Sequence, residues 1–404
     1  MMNGIGNFVV AAVVCACAAG ARAQVTIETV TVGNPGNAGE LSGAGAGGLG
    51  EDRICGAVDY VYRIGEFEVT AGQYTAFLNA VAKTDTYGLY DMIMWMDSYG
   101  CKIERTGSSP NYSYSVAADW AERPVNWVSW GDVARFANWL HNGQPTGAQD
   151  LTTTEDGSYY LNGATSDAAL TAVVREPDAT WVIPSEDEWY KAAYHKNDGV
   201  TGNYWDYPTG SNAAPTSEAP PGTDMTNGSA NYYGSNWAIG APYYRTEVGA
   251  YDAKPSDSPY ATFDQGGNAW EWNEAALYGS YRGLSGGSFG ASNAYLHAAY
   301  RNDMHPTFMG HVIGFRVATF VDCNANGIPD ECDLDCDATI GMTGGSCSAV
   351  YPGCGTSVDA NGDGVLDDCA PDIPAISKWG LVTMALLVLT AGTLVWARRG
   401  TATV

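Results

Sequence analysis

Three helix-start signals, separated by long polar loops, constrain the fold of the central part of the chain more than any other feature. Each is a capping box, in which a hydroxyl residue is followed three positions later by Gln, Asp or Glu: Thr70-x-x-Gln73, Ser129-x-x-Asp132 and Ser185-x-x-Glu188. Apolar residues at helical spacing follow each box, so one face of each helix is expected to pack inward. The intervening loops are rich in Gly, Pro, Asn and Tyr. The pattern predicts an α+β domain over 53–320 with few helices and much irregular structure.

The charge balance limits the partners of this chain. It has 45 acidic and 19 basic side chains, a formal net charge of −26. Such a surface repels phosphate backbones, which excludes nucleic acid as a partner and suits divalent cations. Only 16% of residues are charged and 12% are aromatic, which indicates a globular protein and not a disordered acidic chain.

The N-terminal region predicts export. A short apolar stretch, 8–17, precedes Ala21-Arg22-Ala23, a small-x-small cleavage pattern, so residues 1–23 are interpreted as a signal peptide. Residues 24–52 follow as a Gly-rich segment, and the composition of 33–50 predicts a flexible linker.

The C-terminal region, 372–404, predicts a membrane anchor. Residues 380–397 are uncharged and mostly apolar, long enough as a helix to span a bilayer, and Arg398 and Arg399 follow at once. Together with Ile373-Pro374-Ala375-Ile376, the segment resembles IPTL-type sorting tails, which a processing protease reads. The alternative is a plain membrane anchor. Either interpretation places the bulk of the chain in the cell envelope, outside the cytoplasmic membrane.

Six sequence blocks in the central domain carry a family resemblance. They are Tyr62–Thr70, Arg123–Trp130, Ile183–Trp189, Gly267–Trp272, Gly286–Phe289 and Ile313–Ala318. In this order, they resemble the formylglycine-generating enzyme family, also called sulfatase-modifying factors. The resemblance implies a C-type-lectin-like α+β fold that is poor in regular secondary structure.

The same resemblance raises the question of catalysis. Formylglycine-generating members use a cysteine pair near the end of the domain, since only a thiolate combines soft Cu(I) ligation with thiol exchange. The corresponding stretch here, 290–301, contains no cysteine, so we expect a non-catalytic protein. Iron or copper chemistry stays open as the alternative. His297, His305 and Asp303 are the candidate 2-His-1-carboxylate set for iron. The other interpretation is that these histidines are surface or structural residues on the loop before Ile313.

The resemblance also implies a structural calcium ion at the fourth block. Carried over by position, its ligands are the carboxylates of Asp264 and Glu271 and the carbonyl oxygens of Gly267 and Ala269. Hard oxygen donors of this kind suit Ca²⁺. The alternative is an ion pair between Glu271 and a buried arginine such as Arg316.

A second calcium signal lies in the Cys- and Asp-rich segment 321–371, interpreted as a disulfide-bonded stalk. Two repeats resemble thrombospondin type 3 or dockerin-like repeats: the first shows the ligand spacing of an EF-hand loop, and the second keeps its first nine positions but has Ala370 at position 12. The predicted ligands are Asp322, Asn324, Asn326, Ile328, Asp330 and Asp333 in the first repeat, and Asp359, Asn361, Asp363, Val365 and Asp367 in the second. Eight cysteines follow the signal peptide, and in an exported protein Cys55 and Cys101 are expected to form one disulfide.

The sequence therefore predicts a calcium-stabilised binding or structural protein of the cell envelope, with an unidentified glycan or protein ligand. Eleven tryptophans lie between 53 and 320. Most are expected in the core, because an irregular fold needs large apolar side chains to fill its interior. The alternative function is a metal-dependent oxidoreductase of the same family.

Overall fold

The computed structural model describes residues 24–252, 256–322, 324 and 327–357. The predicted signal peptide, second calcium repeat and C-terminal tail lie outside these residues. Among the helices of the described part, none is long and apolar enough to cross a membrane.

Two four-stranded sheets and three main helices form the described fold. The strands are β1 Thr29–Val32, β2 Glu40–Ser42, β3 Arg53–Cys55, β4 Tyr62–Gly65, β5 Ile103–Thr106, β6 Ser113–Val116, β7 Trp181–Val182, β8 Thr216–Ser217, β9 Ser229–Ala230, β10 Trp270–Leu277, β11 Tyr281–Ser285, β12 Asn302–Met304, β13 Ile313–Gly314 and β14 Ala318–Thr319. The helices are α1 Ala71–Val81, α2 Ile93–Met96, α3 Ala118–Ala121, α4 Trp130–His141, α5 Asp167–Ala172, α6 Glu186–Tyr194, α7 Asp330–Leu334 and α8 Cys347–Val350, with 3₁₀ turns at Ala44–Ala46 and Asn293–Leu296. Long loops join these elements, as the α+β prediction requires.

All three predicted helix starts are confirmed. Thr70, Ser129 and Ser185 cap α1, α4 and α6, and in each case the cap side chain and the residue three positions later exchange reciprocal hydrogen bonds. These boxes satisfy amide groups that the first helical turn leaves unpaired. The apolar faces of α1 and α4 then meet in the main core, where the Phe77 and Phe136 rings pack edge to face at 5.3 Å.

The two sheets place the family blocks side by side. One has the strand order β1-β4-β14-β7, and the other has the order β12-β11-β10-β13. In the second sheet β13 runs parallel to β10, with Glu271 opposite Gly314. This register brings the last block of the sequence next to the fourth.

The segment predicted as a flexible linker is structured. β1 pairs with β4, and β2 pairs with β3. A Cβ placed on Gly48 would lie 1.9 Å from the carbonyl oxygen of Ala299, and the Gly43 N–H donates to that same oxygen at 3.0 Å. The flexible-linker prediction is therefore wrong for the described residues. The glycines here allow two backbones to approach closely, a use of glycine that composition does not distinguish from flexibility.

The disulfide bonds differ in part from those that the sequence predicts. Cys55 and Cys101 are free and buried. Cys55 packs in a small cluster with Trp189 and Tyr190, whereas Cys101 lies in the main core, and these separate positions explain why the predicted disulfide does not form. We call the described part of segment 321–371 the C-terminal module. In it, two disulfides join Cys332 to Cys347 and Cys336 to Cys354.

That module is not a separate stalk, and this prediction is also corrected. Met342 is buried in the main core, and its carbonyl oxygen accepts a hydrogen bond from Arg175 Nη1 at 2.8 Å. Gly341 lies against the ring of Tyr60, and Thr343 Oγ1 donates to the Pro177 carbonyl at 2.6 Å. The described part of the module thus packs directly on the central domain.

Candidate functional site

The predicted calcium loop contains a buried ion pair. Both carboxylate oxygens of Glu271 accept from Arg316, Oε2 from Nε at 2.6 Å and Oε1 from Nη2 at 2.7 Å. Trp189 Nε1 also donates to Oε2 at 2.7 Å. Neither charged side chain is exposed. Burial acts to lower the pKa of Arg316, but the adjacent carboxylate holds that pKa above its ordinary value. Glu271, the predicted calcium ligand, therefore forms the ion pair with Arg316 that is the alternative to calcium binding.

The other residues of the loop lie close to this pair. Asp264 Oδ2 accepts from the Gly249 N–H at 2.8 Å, and burial raises the pKa of Asp264 to about 6. Glu68, which sequence reasoning did not select, accepts from the Ala269 N–H at 3.0 Å and from Asn268 Nδ2 at 2.7 Å. Burial, together with the neighbouring carboxyls of Asp264 and Glu271, raises the pKa of Glu68 well above its ordinary value.

Asn268 connects this loop to a second region, which we call the aromatic face. Its Oδ1 accepts from Asn231 Nδ2 at 3.1 Å and from the Thr246 N–H at 3.0 Å. The aromatic face consists of the rings of Tyr99, Tyr233, Trp237, Tyr244, Phe289 and His311. Tyr99 stands at its centre, 4.5 Å from the Tyr244 ring and 5.1 Å from the His311 ring.

Part of the aromatic face is open to solvent. Trp237 is 39% exposed and Tyr233 is 41% exposed, and their rings meet edge to face at 4.9 Å. Phe289, by contrast, is buried and forms the floor. Tyr244 has a φ of 57° and Trp127, whose ring lies 6.0 Å from His311, has a φ of 61°. Bulky residues rarely adopt this left-handed conformation, and such backbone strain is concentrated at functional sites.

The segment that corresponds to the family cysteines lies against this face. The Tyr233 N–H donates to the carbonyl oxygen of Ala291 at 2.8 Å, and a Cβ on Gly290 would be 3.9 Å from the Trp237 ring. Residues 290–301 carry no thiol. The structure thus places aromatic rings, without cysteine, at the position where the resemblance implies catalysis.

Comparison with known families identifies the family of the central domain. Residues 58–321 match the model of the sulfatase-modifying factor enzyme 1-like domain. The chain belongs to this family. No curated protein matches it.

Three solved structures are similar to this chain. They are CarF (21% identity, TM-score 0.45, covering 74% of this chain and 99% of that one), Treponema denticola variable protein 1 (19%, 0.45, 74% and 96%) and PvdO from Pseudomonas aeruginosa (17%, 0.41, 72% and 94%). At these values the likeness concerns the fold alone.

The histidines of this family member point to different neighbours. His297 packs edge to face on Tyr207, whereas His305 stacks on Tyr281 at 4.3 Å and lies 3.2 Å from Asp167. His311 belongs to the aromatic face. Among the described residues, no three His, Cys, Asp or Glu side chains converge as they would around a metal ion. The proposed set of His297, His305 and Asp303 is therefore not brought together.

The first calcium repeat is partly described. Asn324 Nδ2 donates to Asp333 Oδ2 at 2.9 Å, and the Gly327 N–H donates to Asp322 Oδ2 at 2.8 Å. Positions 1, 3 and 12 of the repeat thus make hydrogen bonds within the repeat, and α7 begins at Asp330. Asn326 and the whole second repeat lie outside the described residues.

Sequence reasoning missed the residues beneath the aromatic face. Arg245 is fully buried, and its Nη1 donates to the Tyr99 carbonyl oxygen at 2.6 Å. Asn126 Nδ2 donates to the same oxygen at 2.8 Å. Asn126 stands in the second family block, but Arg245 stands in none. No local pattern indicates that these two distant positions meet.

Proposed function

We propose that this chain is a ligand-binding member of the sulfatase-modifying factor family that does not oxidise cysteine, and that it is exported and held at the cell envelope. The observation that carries the proposal is the aromatic face itself, because it occupies the position expected for the cysteine pair and holds no thiol on 290–301. Export and anchoring rest on the sequence of 1–23 and 380–397.

The two free thiols of the described domain are unsuited to replace that pair. Cys55 and Cys101 are fully buried. Burial raises the pKa of Cys55 to about 12 and also raises the pKa of Cys101. Both are therefore protonated thiols at neutral pH, whereas copper ligation and thiol exchange require the thiolate. This supports binding over oxidation.

The polar atoms behind the aromatic face favour a hydroxyl-rich ligand. In the described part of the chain, Trp127 Nε1, Asn126 Oδ1 and Asn231 Oδ1 are buried and have no hydrogen-bond partner. A buried polar atom without a partner is rare, because its desolvation is not repaid. One is a donor and two are acceptors, and a sugar hydroxyl serves both. Half-exposed rings beside such atoms suit the flat C–H face of a sugar, so we propose a glycan as ligand.

Calcium has a structural role in this proposal. The described residues Asp322, Asn324, Asp330 and Asp333 carry side-chain oxygens at EF-hand spacing, and the disulfide-bonded module to which they belong packs on the central domain. At 264–271 a calcium ion would compete with Arg316 for Glu271. Elemental analysis of the purified 24–371 segment, refilled with Ca²⁺, Fe²⁺ and Cu⁺ after chelation, tests this assignment. Calcium alone supports it, and stoichiometric iron or copper favours the oxidoreductase alternative.

A paired-variant experiment tests the binding function. Immobilised glycans are probed with the wild-type protein, with Trp237→Ala and with Trp95→Ala, a matched control that is 44% exposed but outside the aromatic face. We expect Trp237→Ala to lose binding about tenfold or more and Trp95→Ala to retain it. Binding that survives Trp237→Ala, or conversion of a cysteine-containing peptide to an aldehyde under oxygen as detected by mass spectrometry, would overturn the proposal.

A further inference from the structure

Four arginines of the described chain whose side chains are at most 9% exposed have a carboxylate oxygen within 3.0 Å. These pairs are Arg135 with Glu155, Arg175 with Glu188 and Glu274, Arg301 with Glu186, and Arg316 with Glu271. In the first, third and fourth of them the arginine uses the same edge, with Nε and Nη2 each donating to one carboxylate oxygen. This fork geometry is the strong, bidentate form of an arginine–carboxylate pair.

Arg245 presents the same edge without a partner. Its Nη1 donates to the Tyr99 carbonyl oxygen, but within the described residues nothing accepts from Nε or Nη2, although both atoms are buried. The guanidinium carbon lies 5.9 Å from the centroid of the Phe289 ring. The free edge of Arg245 therefore lies just beneath the floor of the aromatic face.

The surroundings of Arg245 leave its charge uncompensated. Burial lowers the pKa of Arg245 to about 10, which still leaves it protonated at neutral pH. Within the described residues no carboxylate accepts a hydrogen bond from the Arg245 guanidinium. A buried charge without a counter-charge is costly. An anion at Nε and Nη2 would remove this cost.

We infer that Arg245 receives the carboxylate of the ligand, so that the glycan bound by the aromatic face is an acidic sugar. This inference rests on the proposed function. The carboxylate would accept from Nε and Nη2 as Glu271 does from Arg316, while Trp127 Nε1, Asn126 and Asn231 contact hydroxyl groups. A single carboxylate fits better than a polyanion, because the net charge of −26 repels dense negative charge.

The receptor is closed in the described conformation. Arg245 is 0% exposed, so a ligand reaches it only if a ring above it moves. Tyr244 and Trp237, whose rings lie 5.3 Å apart, stand on the loop that leads to Arg245. Tyr244 also has a left-handed backbone conformation, with a φ of 57°. Its backbone strain therefore lies next to the ring that would have to move.

Binding of three small probes to the full chain tests the inference. Saturation-transfer NMR or tryptophan fluorescence compares D-glucuronate, D-glucose and acetate. We expect glucuronate to bind about tenfold or more tightly than glucose. Arg245→Met should abolish this preference, and Arg245→Lys should lose most of it, because lysine keeps the charge but not the fork. Trp237→Ala should weaken both sugars alike.

The outcomes separate this inference from the function on which it rests. Equal affinity of the wild-type protein for glucose and glucuronate overturns the carboxylate receptor and leaves glycan binding intact. Acetate binding that depends on Arg245, without binding of either sugar, supports the receptor and overturns the glycan. Absence of binding by all three probes overturns both. Because the first comparison uses wild-type protein alone, it stands even if a variant fails to fold.

Discussion

Arg316 and Arg245 are both fully buried, yet their surroundings differ sharply. Arg316 donates to Glu271 and to the carbonyl oxygens of Gly65 and Phe263. Arg245 has one carbonyl partner, at Tyr99, and a free Nε/Nη2 edge. A complete set of partners indicates a structural role, whereas the two unpaired donors of Arg245 are the groups that the proposed carboxylate would satisfy.

The two arginines also come from different kinds of backbone. Glu271 lies on β10, and Arg316 follows β13, its parallel neighbour, so the sheet register sets their separation. Arg245 lies in the long loop between β9 and β10. The strand register holds Glu271 and Arg316 together as a structural pair, whereas loops on a rigid scaffold often carry binding groups. The following predictions test this division.

The largest effect is expected from breaking the structural pair. Glu271→Gln leaves the Arg316 charge buried without its carboxylate, and we expect the free energy of unfolding to fall by about 3–5 kcal/mol. Urea denaturation of wild type and variant measures this difference. Glu247→Gln is the matched control, since Glu247 is 57% exposed and lies 3.5 Å from Arg123, and it should cost less than about 1 kcal/mol. Equal losses in the two variants would contradict the structural assignment.

The sequence predicts the region around the Glu271–Arg316 ion pair better than the region around Arg245. Capping boxes are local, so Thr70, Ser129 and Ser185 identify their helices without tertiary information. The family blocks contain both Glu271 and Arg316, and their pairing was the stated alternative to calcium. The Arg245–Tyr99 contact, in contrast, spans 146 residues and involves a backbone carbonyl, which no sequence pattern marks.

Two further errors have the same physical origin. The glycines of 33–50 were interpreted as a linker because composition does not show that Gly48 is pressed against Ala299. Cys55 and Cys101 were paired by their number, although each is enclosed in a different apolar cluster. In both cases the deciding contact is made by residues far away in the sequence.

Lys191 sharpens the comparison, because in the described part of the chain it is a buried cation whose hydrogen bonds go to carbonyl oxygens. Its Nζ donates to Asn34 at 2.9 Å and to Val58 at 3.4 Å, and burial lowers its pKa to about 8. The unfolded chain keeps this proton up to about pH 10.4. Between these values the unfolded state binds more protons, so stability should rise with pH.

The test compares wild type with Lys191→Met at several pH values. From pH 8 to pH 10 the unfolding free energy of the wild type should gain roughly 1–3 kcal/mol relative to the variant. Chemical denaturation at fixed ionic strength provides the measurement, and subtracting the variant removes the titration of the buried tyrosines and cysteines. If the unfolding free energy of the two proteins depends on pH in the same way, burial does not lower the pKa of Lys191.

The smallest change in stability is expected at Arg245, because a binding residue contributes less to folding than a structural ion pair. Arg245→Met removes an unpaired buried charge, and the Tyr99 carbonyl oxygen keeps its second donor, Asn126 Nδ2 at 2.8 Å. We therefore expect the free energy of unfolding to change by less than about 1 kcal/mol. Urea denaturation beside Glu271→Gln measures it. A loss of about 3 kcal/mol or more would mean that Arg245 stabilises the fold as Arg316 does. That result would contradict the proposal that the Nε/Nη2 edge of Arg245 binds a ligand. A small change combined with a lost preference for glucuronate would place the two arginines in different roles, one stabilising the domain and the other recognising what binds to it.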